Sequence, residues 1–409
     1  MIGCRRAALL LTCTLVSCAS HGDASAVTVD VSGPEGQPIA ASNSLDVLSV
    51  EAVVNGAQGT LIVDTGSPVV VLDPSAFAHA SLPDGAGTVD AVALGALAFT
   101  SQYVVGAELI TSPDPTVPLD GSLGCGILCA FAVSFDYRGS TVTLGPSSPP
   151  ANVASIVRTP FSRLGGGLST IAGVPGTVSL PASRIVIGVT VEGHAETFVV
   201  DSGSSLVTLR VAAFNLLLAD GRAHIDNVGT AVGSENATSG VTRLRSCAIG
   251  TEEIDGLVAS AGSALEPALD DVSAEIGEPI DGIVGGSFLR SFYVTVDYPD
   301  SALLLRRYTA GAPTFDGFDR VGVGITPATG SGLATVSEVF AGTDAATQGV
   351  AVGDEVVRID GHALAGLGAT AVDALLSGNV GATKSVTFGT AATLSMKTVS
   401  ITVDDILPL

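Results

Sequence analysis

Two short apolar stretches of this chain end in the same polar signature. Leu61-Ile62-Val63 runs into Asp64-Thr65-Gly66-Ser67, and Phe198-Val199-Val200 runs into Asp201-Ser202-Gly203-Ser204. Short apolar runs bounded by turn residues predict buried strands, since a helix needs a longer periodic stretch. Upstream of each run, Val50 to Asn55 and Ile187 to Glu192 are extended segments that stop at Gly56 and Gly193, the pattern of two strands joined by a tight turn. In this part of the chain short helices are expected over Val211 to Ala219 and Ala264 to Ile276, the second with Pro267 suited to a first turn. The fold class is therefore mostly β.

The two runs belong to a longer repeat. At an offset of 137, Leu48 to Phe77 aligns without a gap with Ile185 to Phe214, pairing Gly56 with Gly193, Thr60 with Thr197 and Leu72 with Leu209. A second block, Asp120 to Gly124, matches Asp281 to Gly285 at an offset of 161, and the same register carries Val133, Asp136, Tyr137 and Leu144 onto Val294, Asp297, Tyr298 and Leu305. Two blocks repeated in the same order mark a duplicated lobe. Ala93-Leu94-Gly95 matches Ala248-Ile249-Gly250 at 155, so the second lobe is longer by 18 residues before that point (155 − 137) and by 6 after it (161 − 155). The larger insertion, about Ile225 to Arg243, reads strand, glycine-rich tip, strand. With Gly229, Gly233, Ser239 and Gly240 it predicts a mobile hairpin flap, the alternative being a surface loop without function.

In each copy a strand delivers a carboxylate to its end, and the glycine two positions later, Gly66 or Gly203, permits a turn that a Cβ would obstruct. Thr65 and Ser202 carry hydroxyls able to bond across a pseudo-twofold axis, and Ser67 and Ser204 carry hydroxyls able to orient a carboxylate oxygen. Asp64 and Asp201 brought face to face would hold one proton between them, because like charges that close cannot both ionise. One member can then take a proton from water while the other polarises a carbonyl. A single Asp-x-Gly is ordinary turn chemistry. Two in register, with Gly124 and Gly285 in equivalent places downstream, point to a dyad.

These motifs resemble those of the aspartic peptidases, the pepsin and retropepsin superfamily, and Phe292 to Tyr298 is similar to its bacterial retropepsin-like branch. The resemblance covers about Leu48 to Arg307. It implies a bilobal acid-protease fold, Asp64 and Asp201 as the catalytic pair of an endopeptidase, a polypeptide substrate, and neither metal nor other cofactor. Pepsin-like enzymes carry their flap on the first lobe, with a tyrosine on it. Neither feature is evident here, so the second lobe is expected to supply the lid. Other hydrolase classes lack support: no Gly-x-Ser-x-Gly or His-Glu-x-x-His is present, and His79, His194 and His224 are isolated in sequence.

Past a linker at Ala310 to Pro313, the stretch from Arg320 to Gly361 is similar to a bacterial PDZ domain, and the likeness runs through most of Phe318 to Leu409. It implies that Gly322, Val323, Gly324 and Ile325 form a loop holding the terminal carboxylate of a bound peptide, with a helix near Thr370 to Leu376 as the other wall. Pro327 lacks an N–H to offer such a peptide. The alternative is a PDZ domain that packs on the lobes and binds nothing.

At the other end, Arg5-Arg6, Ala7 to Leu11 and Leu15-Val16-Ser17-Cys18 read as a secretory signal whose apolar core falls far short of the ~20 residues a spanning helix needs. The last four residues resemble a bacterial lipobox, which implies acylation of Cys18 as the first mature residue; cleavage near Ala19 or Ala24 is the alternative. Ala19 stands where inner-membrane lipoproteins carry an aspartate, which implies the outer membrane of a cell that has one, on its periplasmic or its surface face. The chain then divides into a signal (1–17), a tether (18–40), lobe 1 (41–147), a connector (148–180), lobe 2 (181–308) and the PDZ-like domain (316–409). A net charge of −23, from 17 basic and 40 acidic residues, argues against nucleic acid and against anionic membrane surfaces, leaving the lipid as the only membrane contact. Because the duplication supplies both halves of the site, a monomer suffices. Of six cysteines, Cys4 and Cys13 leave with the signal and Cys18 carries lipid. For Cys125, Cys129 and Cys247 the expected state is three buried core thiols, although an oxidising compartment permits one disulfide between partners that spacing does not choose. Two functions are expected from these features: a lipid-anchored aspartic endopeptidase or, alternatively, a peptidase fold without activity whose PDZ domain binds peptide.

Overall fold

The computed structural model describes residues 27–83, 85–107, 119–171, 177–232, 235–309, 318–326, 333–367, 369–389 and 395–409, with the backbone of 9–10 and 15–17. Cys18, Gly233, Pro327 and the expected linker at 310–313 lie outside the described residues. Strands dominate, and the two lobes repeat one plan. Val47–Val54 pairs with Ala57–Val63 through Asn55-Gly56, at φ 46° and 89°, and Arg184–Val191 pairs with His194–Val200 through Glu192-Gly193, at φ 48° and 85°. Two consecutive positive φ values make the tight turn whose twist matches a hairpin. A later strand then inserts beside each aspartate-bearing strand. Gly121–Leu123 lies parallel to Ala57–Val63 and antiparallel to Val70–Leu72, and Gly282–Val284 does the same between His194–Val200 and Val207–Leu209.

The lobes share a sheet and a core. Ala132–Asp136 runs antiparallel to Phe292–Asp297, with Ser134 opposite Thr295 and their hydroxyls 2.8 Å apart. These residues are equivalents at the 161 offset, so the pseudo-twofold axis passes between them. Around that sheet a continuous buried cluster takes Leu61, Val63, Phe99 and Phe135 from one lobe and Phe198, Val200, Phe288 and Phe292 from the other.

The boundaries differ from those expected. Asp30–Ser32 pairs with Leu97–Gly106, and Pro38–Ser44 pairs with both Val47–Val54 and Thr141–Leu144, so the lobe takes in part of the presumed tether. Ile39 in that strand is buried, which draws the segment onto the sheet. The connector is likewise woven in: Val157–Pro160 pairs with Ala302–Arg307, and Ser162–Leu164 with Arg184–Val191. Cys125 and Cys129 form a disulfide and only Cys247 is a free buried thiol among the described cysteines, which corrects the expectation of three thiols. A separation of four across the helical turn Cys125–Leu128 brings the first two together, with Cα atoms 4.7 Å apart. Burial pushes the Cys247 thiol up to about 12, leaving it protonated and inert.

Helices form at Val211–Leu218 and Glu266–Ile276, the latter starting beside Pro267 and closing at Gly277 with φ 77°. The insertion in lobe 2 is a hairpin in which His224–Val232 runs antiparallel to Glu235–Ile249, with Val232 opposite Glu235. The second strand continues into lobe 2 and pairs with Glu252–Ala261. The C-terminal domain is a separate sheet around its own core, with the helix Ala369–Leu376 contributing Val372 and Leu376. It docks on lobe 2 through Phe318 and Leu407, which pack with Leu206, Val228, Val241 and Val258. Among the described residues no helix is long and apolar enough to cross a membrane.

Candidate active site

The inserted strands hold the two aspartate loops from behind. The Asp64 N–H donates to the Leu123 carbonyl at 3.0 Å and the Asp201 N–H to the Val284 carbonyl at 3.0 Å. Gly124 and Gly285, just beyond those strands, leave room for the loops to fold down. A Cβ on Gly124 would lie 2.2 Å from the Val69 carbonyl oxygen, and one on Gly285 would lie 2.3 Å from that of Leu206.

Across the axis the loops are cross-tied. Thr65 Oγ1 accepts the Ser202 N–H at 2.9 Å and donates to the Val200 carbonyl at 3.2 Å; Ser202 Oγ accepts the Thr65 N–H at 3.0 Å and donates to the Val63 carbonyl at 2.7 Å. Each hydroxyl thus makes two bonds to the backbone of the other lobe. Ser67 and Ser204 act differently from expectation. Their hydroxyls donate to the Val69 and Leu206 carbonyls, at 2.9 and 3.0 Å, and so close their own turns. The carboxylates are oriented instead by backbone, because the turn after each aspartate brings the second amide round to it. Gly66 N–H donates to Asp64 Oδ1 and Gly203 N–H to Asp201 Oδ1, both at 2.8 Å.

The carboxyls lie crosswise. A Cβ on Gly66 would sit 2.6 Å from Asp201 Cγ, and one on Gly203 would sit 2.8 Å from Asp64 Cγ. Each acid therefore rests over the glycine of the opposite loop, within hydrogen-bonding reach of its partner. Asp64 is 0% and Asp201 3% exposed. No donor among the described residues reaches the buried Asp64 Oδ2. Burial raises Asp64 well above the usual carboxylate range and the Asp201 charge adds to this; burial raises Asp201 as well, against the pull of the Gly203 amide. The two titrate as one unit.

Three further side chains belong to this environment. Burial holds Tyr137 and Tyr298, equivalent at the 161 offset, neutral; Tyr298 also feels the charge of both aspartates and Tyr137 that of Asp201. The third is Arg184. Its guanidinium is 2.9 Å from Glu275 through Nε and donates through a terminal nitrogen to the Gly66 carbonyl. Sequence reasoning missed it, although a signal existed: at the 137 offset its equivalent is Val47, so a cation stands where the other lobe has an aliphatic residue.

The remaining expected residues fall elsewhere. In the lobe 2 hairpin Gly229 lies opposite Thr238, while Ser239 and Gly240 are at its base, where Gly240 pairs with Ala261 and packs against Phe214. The latter two are therefore not tip residues. The tip falls at 233–234, outside the described residues. In the C-terminal domain, Val323–Thr326 is an outer strand paired on one side with Ala334–Val339. Gly322 precedes it, packed against Thr343, and Val323 and Ile325 are buried.

Among solved structures the chain is similar to the aspartic proteinase from Irpex lacteus, with 17% identity and a TM-score of 0.40 over 67% of this chain and 98% of that one. A shorter match, 21% of this chain and 23% of the other, is to the photosystem II D1 C-terminal processing protease, at 27% identity and a TM-score of 0.20. No family profile and no curated protein matches the chain.

Proposed function

We propose that the protein is an aspartic endopeptidase in which Asp64 and Asp201 share one proton and drive water onto the carbonyl of an extended peptide. The observation that carries this reading is the crosswise pair of buried carboxyls, each held by a glycine amide and each raised by burial. In the singly protonated pair the ionised member takes a proton from the attacking water. The protonated member gives its own to the carbonyl oxygen, and a tetrahedral diol forms without a covalent enzyme intermediate. Return of a proton to the amide nitrogen then breaks the C–N bond. Burial suits this chemistry, because proton transfer between the acids and substrate creates no new net charge in a low-dielectric site.

Within this proposal the lobe 2 hairpin is the lid, supported by its position as an extension of the sheet that bears Asp201. The PDZ-like domain recruits a chain terminus along Val323–Thr326, supported by the outer edge of that strand, which is unpaired among the described residues. Export and lipid attachment at Cys18 are proposed from the Leu-Val-Ser-Cys run alone. One observation favours a second reading. With Asp64 fully covered, a molecule whose lobes stay closed would leave peptide binding by the C-terminal domain as its function.

The test is cleavage of a mixed peptide library by the chain from Ala19 onward, scanned from acid to neutral pH beside Asp64→Asn and Asp201→Asn. Cleavage by the wild type that either substitution abolishes is the expected result. Silence of the folded wild type at every pH would sink the peptidase reading in favour of the binder.

A further inference from the structure

We infer that Arg184 is a positioning residue for the dyad: its buried guanidinium, anchored by Glu275, grips the Gly66 carbonyl and fixes the charge balance of the two carboxyls. The role in turnover rests on the peptidase reading above; the effect on the carboxyls does not.

Arg184 and Glu275 have side chains only 4% and 3% exposed, and burying such a pair seldom stabilises a fold more than apolar residues of the same volume would. The fold does not demand it here, since the equivalent strand of lobe 1 begins with Val47, also buried. What distinguishes the two positions is their reach. Arg184 spans from lobe 2 to the Asp64 loop of lobe 1, whereas Val47 has no group to offer Gly203.

Its partners make the grip rigid. Nε and one terminal nitrogen are engaged by Glu275 Oε2 and the Gly66 carbonyl, and Glu275 Oε1 accepts the Gly166 N–H at 3.2 Å. One network therefore ties the inter-lobe segment, the helix Glu266–Ile276 and the catalytic loop. Gly66 sits in the middle, giving its N–H to Asp64 Oδ1 while its carbonyl is held by Arg184.

Electrostatics follows from the same contacts. The charged and titratable groups facing the pair are Arg184, with Glu275 behind it, and the neutral Tyr137 and Tyr298; Asp46 adds to the field at Tyr137 and Arg163 to that at Tyr298. Arg184 is the cation among them that acts on both carboxyls, favouring the singly ionised pair over the neutral one. Glu275 opposes it from the far side of the guanidinium.

Opposite signs give the test. Arg184→Met, Arg184→Lys and Glu275→Gln are compared with wild type by 13Cγ NMR titration of the dyad, assigned by difference from Asp64→Asn, and by the pH profile of kcat/KM. Loss of the cation should raise the apparent pKa of the pair by about one unit, moving the acid limb upward and costing about tenfold in kcat/KM on it. Glu275→Gln keeps an acceptor for Nε, leaves the cation uncompensated and should move the pair downward, while Arg184→Lys should recover part of the wild-type value. Shifts of the same sign in Arg184→Met and Glu275→Gln, or an unmoved titration in folded Arg184→Met, overturn the inference as a merely structural role would. Should Arg184→Met fail to fold, the Lys and Gln variants decide by the same signs. A wild type that titrates as described but cleaves nothing counts against the peptidase reading and not against this one.

Discussion

Replacing Thr65 by valine keeps the shape of the side chain and deletes one hydroxyl at the centre of the molecule. Two hydrogen bonds go with it, the one accepted from Ser202 N–H and the one donated to the Val200 carbonyl. Thr65 is 0% and Ser202 2% exposed, so water does not replace them. An orphaned buried N–H costs roughly 1–3 kcal/mol, and the lost bond to a carbonyl about 1 kcal/mol net, giving roughly 2–4 kcal/mol in all. Ser202→Ala deletes the mirror-image pair and should cost a similar amount. The four bonds cross one interface, so once either hydroxyl is gone the loops relax and the second has less to lose. The double variant should therefore fall short of the sum by about 1 kcal/mol. The chain has no tryptophan, so urea unfolding is followed by circular dichroism, and the midpoints of the four proteins of the cycle are compared at fixed pH. A Thr65→Val cost below about half a kcal/mol, or strict additivity, would show that the cross-tie does not couple the lobes.

Three other outcomes follow from the same contacts. Gly66→Ala places a methyl 2.6 Å from Asp201 Cγ and 2.7 Å from both its oxygens, and should lower kcat by about a hundredfold in a folded protein; near-wild-type turnover would mean that the crosswise packing is not needed. For Asp64 the folded pKa is raised, so the native state holds a proton that the unfolded chain has already released above its ordinary value. Stability then falls as pH rises from the unfolded pKa toward the folded one, and Asp64→Asn should raise Tm at neutral pH and flatten that slope, whereas an unchanged slope refutes the assignment. Arg243, at the root of the lobe 2 hairpin, donates to the Leu407 and Gly256 carbonyls at 2.7 and 2.9 Å and pairs with Asp405 and Asp319. With those carboxylates partly solvated, Arg243→Met should cost about 2 kcal/mol and speed hydrogen exchange both in the hairpin strands and in residues 403–409. Exchange that changes on one side only would show that Arg243 does not couple the hairpin to the C-terminal domain.

What the sequence disclosed and what it hid divide along the pseudo-twofold axis. The loops at Asp64 and Asp201, the downstream Gly124 and Gly285 and the hairpins before them were legible because duplication states each twice, and a pattern repeated at a fixed offset outweighs the ambiguity of a single turn. The direction of the Ser67 and Ser204 hydroxyls was not legible, since a hydroxyl can bond a carboxylate or a carbonyl equally well and only the turn geometry decides. Nor was the strand role of Asp30–Ser32, which depends on an edge supplied by residues some seventy positions away. The 125–129 disulfide depended on a helical turn too short to read from periodicity.

Asymmetry carries the larger lesson. Two identical loops related by an axis would give two carboxyls in identical surroundings, and like charge alone would let such a pair hold one proton between them. Arg184 stands where the repeats disagree in kind, a cation against Val47; its hydrogen bond is to the Gly66 carbonyl, while its charge reaches both carboxyls. The mismatched column of the repeat is thus as informative as the matched ones. Matches mark what the duplicated scaffold must keep in both halves, and an isolated polar mismatch inside a buried strand marks where one half was altered to act on the other.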